Sequence, residues 1–196
     1  MIPPDATLAE LCAETYDRFN TPTWCIDEVR AFRYADPGGT VVVFPGSVAP
    51  VDWARDLLAL PAHAVLDHAD LGTVPLGFWL GLEAVLARIE ADVGGKPLVL
   101  AGHSLGGARA LLAAALLASA GRRPRKTTAF APPRVGSLNG LIREAAVAYR
   151  YRDDPVPLVP LGFAHPCPLV QLAPPLLELD VLADHHLANY RAVLSP

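Results

Sequence analysis

The spacing of hydrophobic positions changes along the chain between a helical period and a strand period. Apolar residues recur at helical spacing from Leu8 to Phe19, which predicts a first helix over about residues 6–20. Val29–Tyr34 and Thr40–Phe44 flank the turn sequence Asp-Pro-Gly-Gly, a pattern typical of two strands joined in a hairpin. The chain is therefore expected to open with a helix and a strand pair.

The middle of the chain predicts two helices and one buried strand. A short helix is expected over Val51–Leu60, followed by a poorly patterned stretch to Pro75. A longer helix is predicted from about Phe78 to Val93, where a Gly-Gly pair ends it. The apolar run Pro97–Ala101 is typical of a central parallel strand that is buried on both faces.

The rest of the chain is predicted to alternate between helices and strands. Irregular structure is expected where prolines cluster between Asp154 and Pro175. The predicted elements are helix Leu105–Ala120, strand Thr127–Phe130, helix Leu138–Ala146, strand Val147–Arg152 and helix Asp184–Leu194. Such alternation favours a three-layer α/β fold with a mostly parallel central sheet and helices on both faces. Its ligands are expected at the carboxyl ends of the strands.

Composition narrows the classes of function. The 196 residues are 52% hydrophobic, enough to bury one core, so a single domain over residues 1–196 is expected. The formal net charge of -4, without a long run of like charge, gives no reason to expect nucleic acid as a partner. The longest apolar run, Leu111–Ala120, is too short to span a bilayer, so no integral membrane segment is expected.

The cysteines and the first residues bear on the compartment. Cys12, Cys25 and Cys167 lack metal-ligand spacing and cannot all pair, which suits a reducing compartment, with a Cys12–Cys25 disulfide as the alternative. Residues 1–10 have neither the basic start nor the apolar run of a secretory signal. These features predict a cytoplasmic location, with secretion by another route left open.

The strongest chemical signal is Gly102-His103-Ser104-Leu105-Gly106, which fits G-x-S-x-G between a strand and a helix. In that turn the serine is a nucleophile, and the flanking glycines avoid collisions with neighbouring backbone. The N–H of Leu105 would then be free to bind an oxyanion. The alternative is that Ser104 is an ordinary helix N-cap. Adjacent residues point apart at such a turn, so His103 is expected to be a packed or hydrogen-bonded neighbour.

A nucleophilic serine requires a histidine base and a carboxylate that orients the base. In α/β-hydrolases these groups follow the serine in the order acid, then histidine. Asp153 and Asp154 are the candidate acids, and His185 and His186 are the candidate bases. The residues alone leave both pairs open.

Four segments resemble the class 3 lipases in order and in sequence. They are GHSLGGA, FAPPRVG from Phe130, DDPVPLVP from Asp153 and DHHLANY from Asp184, and the similarity runs from about Val41 to Val193. The resemblance implies an α/β-hydrolase that cleaves lipid or small esters. It also implies that Asp154 is the acid and that His185, five residues before a tyrosine, is the base.

The same resemblance implies a second oxyanion donor. Phe44-Pro45-Gly46-Ser47 stands where the family has F-R-G-T or F-R-G-S, so Ser47 would donate beside Leu105. Pro45 replaces the usual arginine, and Pro75 replaces the histidine of a V-H-x-G-F motif. These two departures alter loops near the site and replace no member of the triad.

The predicted function is metal-free and cofactor-free hydrolysis of carboxylic esters through an acyl-enzyme on Ser104. A thioesterase or acyltransferase with the same triad, and an inactive scaffold that only binds, are the alternatives. The four residues Val48–Val51 are too few to form an amphipathic lid helix, so we expect no jump in activity at an oil–water interface. Leu161–Leu182 is expected to be a fixed wall of the site.

Overall fold

The computed structural model describes residues 2–47, 65–175 and 183–195. Within these ranges, helices α1 to α5 span Asp5–Asp17, Leu76–Trp79, Leu82–Val93, Leu105–Ser119 and Leu187–Leu194. Strands β1 to β9 span Trp24–Ile26, Val29–Asp36, Gly39–Phe44, Val65–His68, Gly72–Pro75, Leu98–His103, Lys126–Phe130, Ala146–Arg150 and Leu169–Gln171. Short 3₁₀ turns lie at Leu138–Gly140, Val156–Leu158 and Ala183–His185.

Seven strands form one mixed sheet in the order β1-β2-β3-β6-β7-β8-β9. The pairs β1/β2 and β2/β3 are antiparallel, and every later pair in this order is parallel. The parallel strands therefore end along one edge of the sheet, where ligands of open α/β sheets bind. This arrangement confirms the predicted mostly parallel sheet.

Helices cover both faces of the sheet. In β3, Val41 and Val43 belong to the core that also holds residues of α1 and α5, whereas Val42 and Phe44 belong to the core that also holds residues of α3 and α4. Successive side chains of a strand point to opposite faces, so a central strand with both faces covered is apolar throughout. The three-layer α/β fold predicted from the sequence is confirmed.

The first helix is attached to the sheet through its first turn. The Asp5 carboxylate accepts hydrogen bonds from the Thr128 hydroxyl at 2.8 Å and the Tyr149 hydroxyl at 2.9 Å. The ammonium of Lys126 lies 2.9 Å from the same carboxylate. These contacts hold the first turn of α1 against β7 and β8, and residues near the other end of the helix reach the edge where the strands finish.

Three predicted helices differ in extent from the observed ones. The helix expected from Phe78 to Val93 is interrupted, because Gly81 has φ +77° and the preceding Leu80 is 59% exposed. The helix expected over Leu138–Ala146 is reduced to one 3₁₀ turn, since Asn139 and Gly140 both have positive φ, 48° and 73°. The final helix, expected from Asp184, begins at Leu187 after another 3₁₀ turn.

Several short strands of the structure were not predicted from the sequence. The poorly patterned stretch before Pro75 contains the hairpin β4–β5, in which Val65 lies opposite Pro75. The proline-rich region expected to be irregular contains β9. Strands of three or four residues show too little alternation to be recognised by period. The helix expected over Val51–Leu60 and the Val48–Val51 segment lie outside the described residues, and the expected wall is described only as far as residue 175.

No helix in the described ranges has both the length and the hydropathy needed to cross a membrane. The longest, α4, has 15 residues and begins directly after Ser104. Most of its side chains are buried in the core between the sheet and α3. This burial fixes the axis of α4, and therefore the position of its N-terminus at the edge of the sheet.

Candidate active site

Ser104 lies in a strained turn between β6 and α4. Its φ of 57° and ψ of -127° are unfavourable for a residue with a side chain. A Cβ atom at Gly102 would lie 2.2 Å from the carbonyl oxygen of Gly106, and one at Gly106 would lie 2.0 Å from the carbonyl oxygen of Phe44. Only glycine fits at either flank, which is the physical reason for the G-x-S-x-G pattern.

A continuous set of hydrogen bonds joins Ser104, His185 and Asp154. The Ser104 Oγ lies 2.9 Å from Nε2 of His185. Nδ1 of the same ring lies 3.0 Å from Oδ2 and 3.2 Å from Oδ1 of Asp154. Because a carboxylate only accepts, Nδ1 carries the proton and Nε2 is left to accept from the serine hydroxyl. All three side chains are buried.

The carboxylate of Asp154 is held by two further donors. The Tyr190 hydroxyl donates to Oδ2 at 2.6 Å, and the backbone N–H of Val156 donates to Oδ1 at 3.0 Å. The Tyr190 oxygen in turn accepts from the N–H of Tyr151 at 3.0 Å. Burial, followed by the charge of Asp154, raises the pKa of Tyr190 well above its usual range, so this hydroxyl stays protonated and donates.

The structure distinguishes the two candidate acids, Asp153 and Asp154, and the two candidate bases, His185 and His186. Both hydrogen bonds of the His185 Nδ1 atom go to Asp154, while the neighbouring Asp153 uses its backbone N–H to bind Oδ2 of Asp184 at 3.0 Å. His186 is exposed and lies at the N-cap of α5. The serine is therefore brought together with His185 and Asp154, and the Asp153–Asp184 contact joins the loops that carry them.

His103 is buried beside the triad and binds the loop that carries His185. Its Nε2 lies 2.9 Å from the backbone oxygen of His185, and its Nδ1 lies 2.7 Å from the hydroxyl of Tyr16. A carbonyl only accepts, so Nε2 carries the proton and the tyrosine donates to Nδ1. Burial, followed by the nearby His185, holds the pKa of His103 well below its usual range. A neutral His103 therefore attaches the loop of His185 to the end of α1.

Tyr16 was not identified as a site residue from the sequence, although it connects the loop after β3 to this hydrogen-bond network. A Cβ atom at Gly46 would lie 2.2 Å from the Tyr16 oxygen and 3.2 Å from Cβ of Ser104. The loop after β3 thus passes between α1 and the nucleophile turn. The only sequence signal is a tyrosine near the buried face of an amphipathic helix, which by itself indicates core packing.

Ser47 and Leu105 line one cleft of about 320 Å³ beside the nucleophile turn. Leu105 is the first residue of α4, so its N–H has no acceptor within the helix. Ser47 follows Gly46 in the loop after β3, whose last residue pairs with Gly102 in β6. Leu105 therefore follows Ser104 directly, and Ser47 follows Gly46, which lies against Ser104. Within the described residues, no cluster of three or more His, Cys, Asp or Glu side chains could hold a metal ion.

A strained serine turn at the carboxyl edge of a mostly parallel sheet, with helices on both faces, defines an α/β-hydrolase fold. The sequence model of the family described as "Lipase (class 3)" matches residues 41–163. The chain belongs to the class 3 lipase family.

Curated relatives support the same assignment. Secreted mono- and diacylglycerol lipase A of Penicillium camembertii is 34% identical over 142 residues, which are 65% of this chain and 46% of that protein. Secreted mono- and diacylglycerol lipase 1 of Fusarium solani is 36% identical over 110 residues, which are 48% of this chain and 33% of that protein. The chain therefore spans about half the length, or less, of the curated relatives it matches.

Solved structures share the fold. The triacylglyceride lipase of Rhizomucor miehei matches with a TM-score of 0.70 and 16% identity, over 97% of this chain and 96% of that one. A mutant form of MDLA from Penicillium cyclopium matches with a TM-score of 0.63 and 22% identity, over 88% of this chain and 80% of that one. At these identities the likeness is one of fold.

The predicted cytoplasmic location is wrong, because the Penicillium and Fusarium relatives are named as secreted proteins. That prediction rested on the composition of residues 1–10 and on unpaired cysteines. All three cysteines are free in the structure, so the alternative Cys12–Cys25 disulfide is not formed. Cys12 and Cys167 are buried among apolar side chains. Thiols that serve as core residues carry no information about the compartment.

Proposed function

We propose that this chain hydrolyses carboxylic esters, with Ser104 as nucleophile, His185 as base and Asp154 as the acid that orients the base. The observation that carries the proposal is the buried set of hydrogen bonds from the Ser104 hydroxyl through the His185 ring to the Asp154 carboxylate. The relatives are named mono- and diacylglycerol lipases, so acylglycerols are the proposed substrate class.

The first half of the reaction forms an acyl-enzyme. The Ser104 Oγ attacks the ester carbonyl carbon while Nε2 of His185 takes the hydroxyl proton. The tetrahedral intermediate then collapses, the carbonyl–alkoxide bond breaks, and the imidazolium gives its proton to the leaving alcohol. Asp154 stabilises the imidazolium without taking a proton from it. The second half repeats these steps with water as the nucleophile, which releases the acid and restores Ser104.

The negative charge of each tetrahedral intermediate needs donors at its oxygen. The N–H of Leu105 at the positive end of α4 is one proposed donor, and the backbone N–H and hydroxyl of Ser47 provide the second. Their support is that both residues line the cleft next to the nucleophile turn. One such donor is typically worth about 3 kcal/mol in the transition state.

Product analysis tests this function against its two rivals. The purified chain is incubated with a soluble monoacylglycerol and with the matching acyl thioester, with and without a second alcohol, and acyl products are separated and quantified. Free acid as the main product, formed faster from the ester, supports the proposal. Acyl transfer to the added alcohol in dilute solution indicates an acyltransferase, and preferential cleavage of the thioester indicates a thioesterase. Absence of turnover on all substrates indicates a binding scaffold.

We predict that Asp154→Ala lowers kcat by about ten-thousandfold, whereas Asp153→Ala lowers it by less than about tenfold. The reason is that Asp154 alone of the two bonds the His185 ring, while Asp153 binds Asp184 through its backbone, which the substitution retains. Steady-state kinetics on a short-chain ester measure both effects. The free energy of unfolding is measured for each variant, since Asp154→Ala also removes an acceptor from Tyr190. A larger loss for Asp153→Ala would contradict the assignment.

A further inference from the structure

The cleft of about 320 Å³ that contains Ser47 and Leu105 is also lined by charged side chains that the proposed reaction does not use. Arg109 lines it from α4, four residues after Leu105, which is about one helical turn. Arg30 lines it from β2, and Glu28 precedes that strand. Two guanidinium groups and one carboxylate therefore border the same space as the proposed oxyanion donors.

Arg109 is the unusual member of this set. Its Nε is buried and has no hydrogen-bond partner among the described residues. Within those residues, no ion pair joins its guanidinium to a carboxylate. Burial, followed by the charge of Arg30, lowers the pKa of Arg109 to about 10, so the side chain is still a cation at neutral pH. A largely buried cation without an anionic partner is unfavourable.

The guanidinium group of Arg30 is held beside the cleft, where its positive charge adds to that of Arg109. Its guanidinium carbon lies 4.4 Å from the ring centroid of Phe19, a cation–π contact. Its Nη1 donates to the backbone oxygen of Glu28 at 3.3 Å, and within the described part of the chain its other nitrogen atoms have no hydrogen-bond acceptor. Among the described residues that line the cleft, the two cations exceed the single carboxylate of Glu28, so these residues give it a net positive charge.

We propose that this cleft binds a carboxylate or phosphate group of the substrate, so that esters carrying such an anion are preferred to neutral esters of the same size. Guanidinium groups bind these anions through two parallel hydrogen bonds. An anion there would give Arg109 the partner that it lacks among the described residues and would reduce its repulsion with Arg30. The proposal rests on the proposed ester hydrolysis, because Ser47 and Leu105 place the cleft beside the reacting carbonyl group.

Two matched substrate pairs test the proposal and distinguish the position of the anion. Monobutyrylglycerol is compared with its 3-phosphate, which carries the anion on the alcohol part. Ethyl butyrate is compared with monoethyl succinate, which carries it on the acyl part. For the wild-type chain, kcat/KM is expected to be higher for the anionic member of at least one pair. Arg109→Gln is expected to lower that anionic-to-neutral ratio by about tenfold to a hundredfold.

Three further variants sharpen the result. Arg109→Lys retains the positive charge without the paired N–H donors of a guanidinium group. This variant is expected to lose only part of the preference for anionic esters. Glu28→Gln removes the repelling carboxylate and is expected to raise the ratio. Arg88→Gln removes an exposed arginine of α3, which pairs with Asp92, and serves as the matched control with an unchanged ratio. Added salt is expected to weaken the preference, since the cleft is open to solvent.

The outcomes separate this proposal from the proposed function. If neutral esters are cleaved but Arg109→Gln leaves the ratio unchanged, hydrolysis stands and the anion site is overturned, whether or not the free energy of unfolding falls. Binding of inorganic phosphate to the Ser104→Ala protein, measured by calorimetry with and without Arg109→Gln, is independent of turnover. If no ester is cleaved but phosphate binding depends on Arg109, the anion site stands and the proposed function fails.

Discussion

We expect Ser104→Ala to lower ester turnover by about a millionfold, the loss typical when a triad nucleophile is removed. The methyl group cannot attack a carbonyl carbon, so the covalent route disappears and only the remaining donors of the cleft act on the ester. A fluorophosphonate should add one adduct to the wild-type chain and none to the variant. Intact mass followed by peptide mapping identifies the modified residue.

Ser104→Gly provides a matched control for this experiment. Alanine at this position keeps the unfavourable φ of 57°, whereas glycine adopts it without strain. Both variants should be inactive, and the glycine variant should unfold at an equal or higher concentration of denaturant. Inactivity is then assigned to the missing hydroxyl and not to a damaged turn. An adduct on another residue, or turnover retained by either variant, would refute the assignment of Ser104.

The nucleophile could be predicted from the sequence because its signal is local. A strand, a glycine-flanked serine and a helix follow one another within a short stretch, and outside this stretch the steric reason for the glycines involves the backbone of Phe44 and Pro45. The three-layer fold was predictable for a related reason. The long buried elements β6 and α4 show a clear apolar pattern whatever the rest of the chain does.

The network around the base was not predictable in the same way. Tyr16 and His103 are 87 positions apart in sequence, and they meet because α1 is packed across the sheet and attached to it through Asp5. Nothing in the local sequence of α1 separates a tyrosine that binds a histidine from one that fills the core. The expected helix over Leu138–Ala146 failed for a local reason, because the positive φ values of Asn139 and Gly140 oppose its apolar spacing.

Adjacent residues of the same type could not be distinguished from the sequence alone. Asp153 and Asp154, and likewise His185 and His186, are equivalent to any argument from residue type and order. In each pair, the residues differ in whether the side chain faces the site. The direction of the side chain is set by the turn in which the residue lies. The Val156 N–H turns the Asp154 carboxylate inward, and the 3₁₀ turn Ala183–His185 leaves His186 at the exposed start of α5.

The two histidines therefore differ in what their substitution removes. We expect His185→Ala to lower kcat by about a millionfold and His186→Ala to lower it by less than about tenfold. Nε2 of His185 lies 2.9 Å from the serine oxygen, and its removal leaves the hydroxyl without a base and Asp154 without a ring to orient. His186 contributes its backbone oxygen to Asn189 in the first turn of α5, and alanine retains that contact.

Added imidazole makes the test of the base more specific. The His185→Ala substitution leaves a buried space between Asp154 and Ser104 that is shaped for an imidazole ring. Free imidazole should therefore restore part of the activity of His185→Ala, and none of the activity of a His185→Ala variant that also carries Ser104→Ala. Restoration in the single variant only would show that the lost group was a base acting on the serine. A greater loss in His186→Ala than in His185→Ala would mean that the base lies one residue further along the chain.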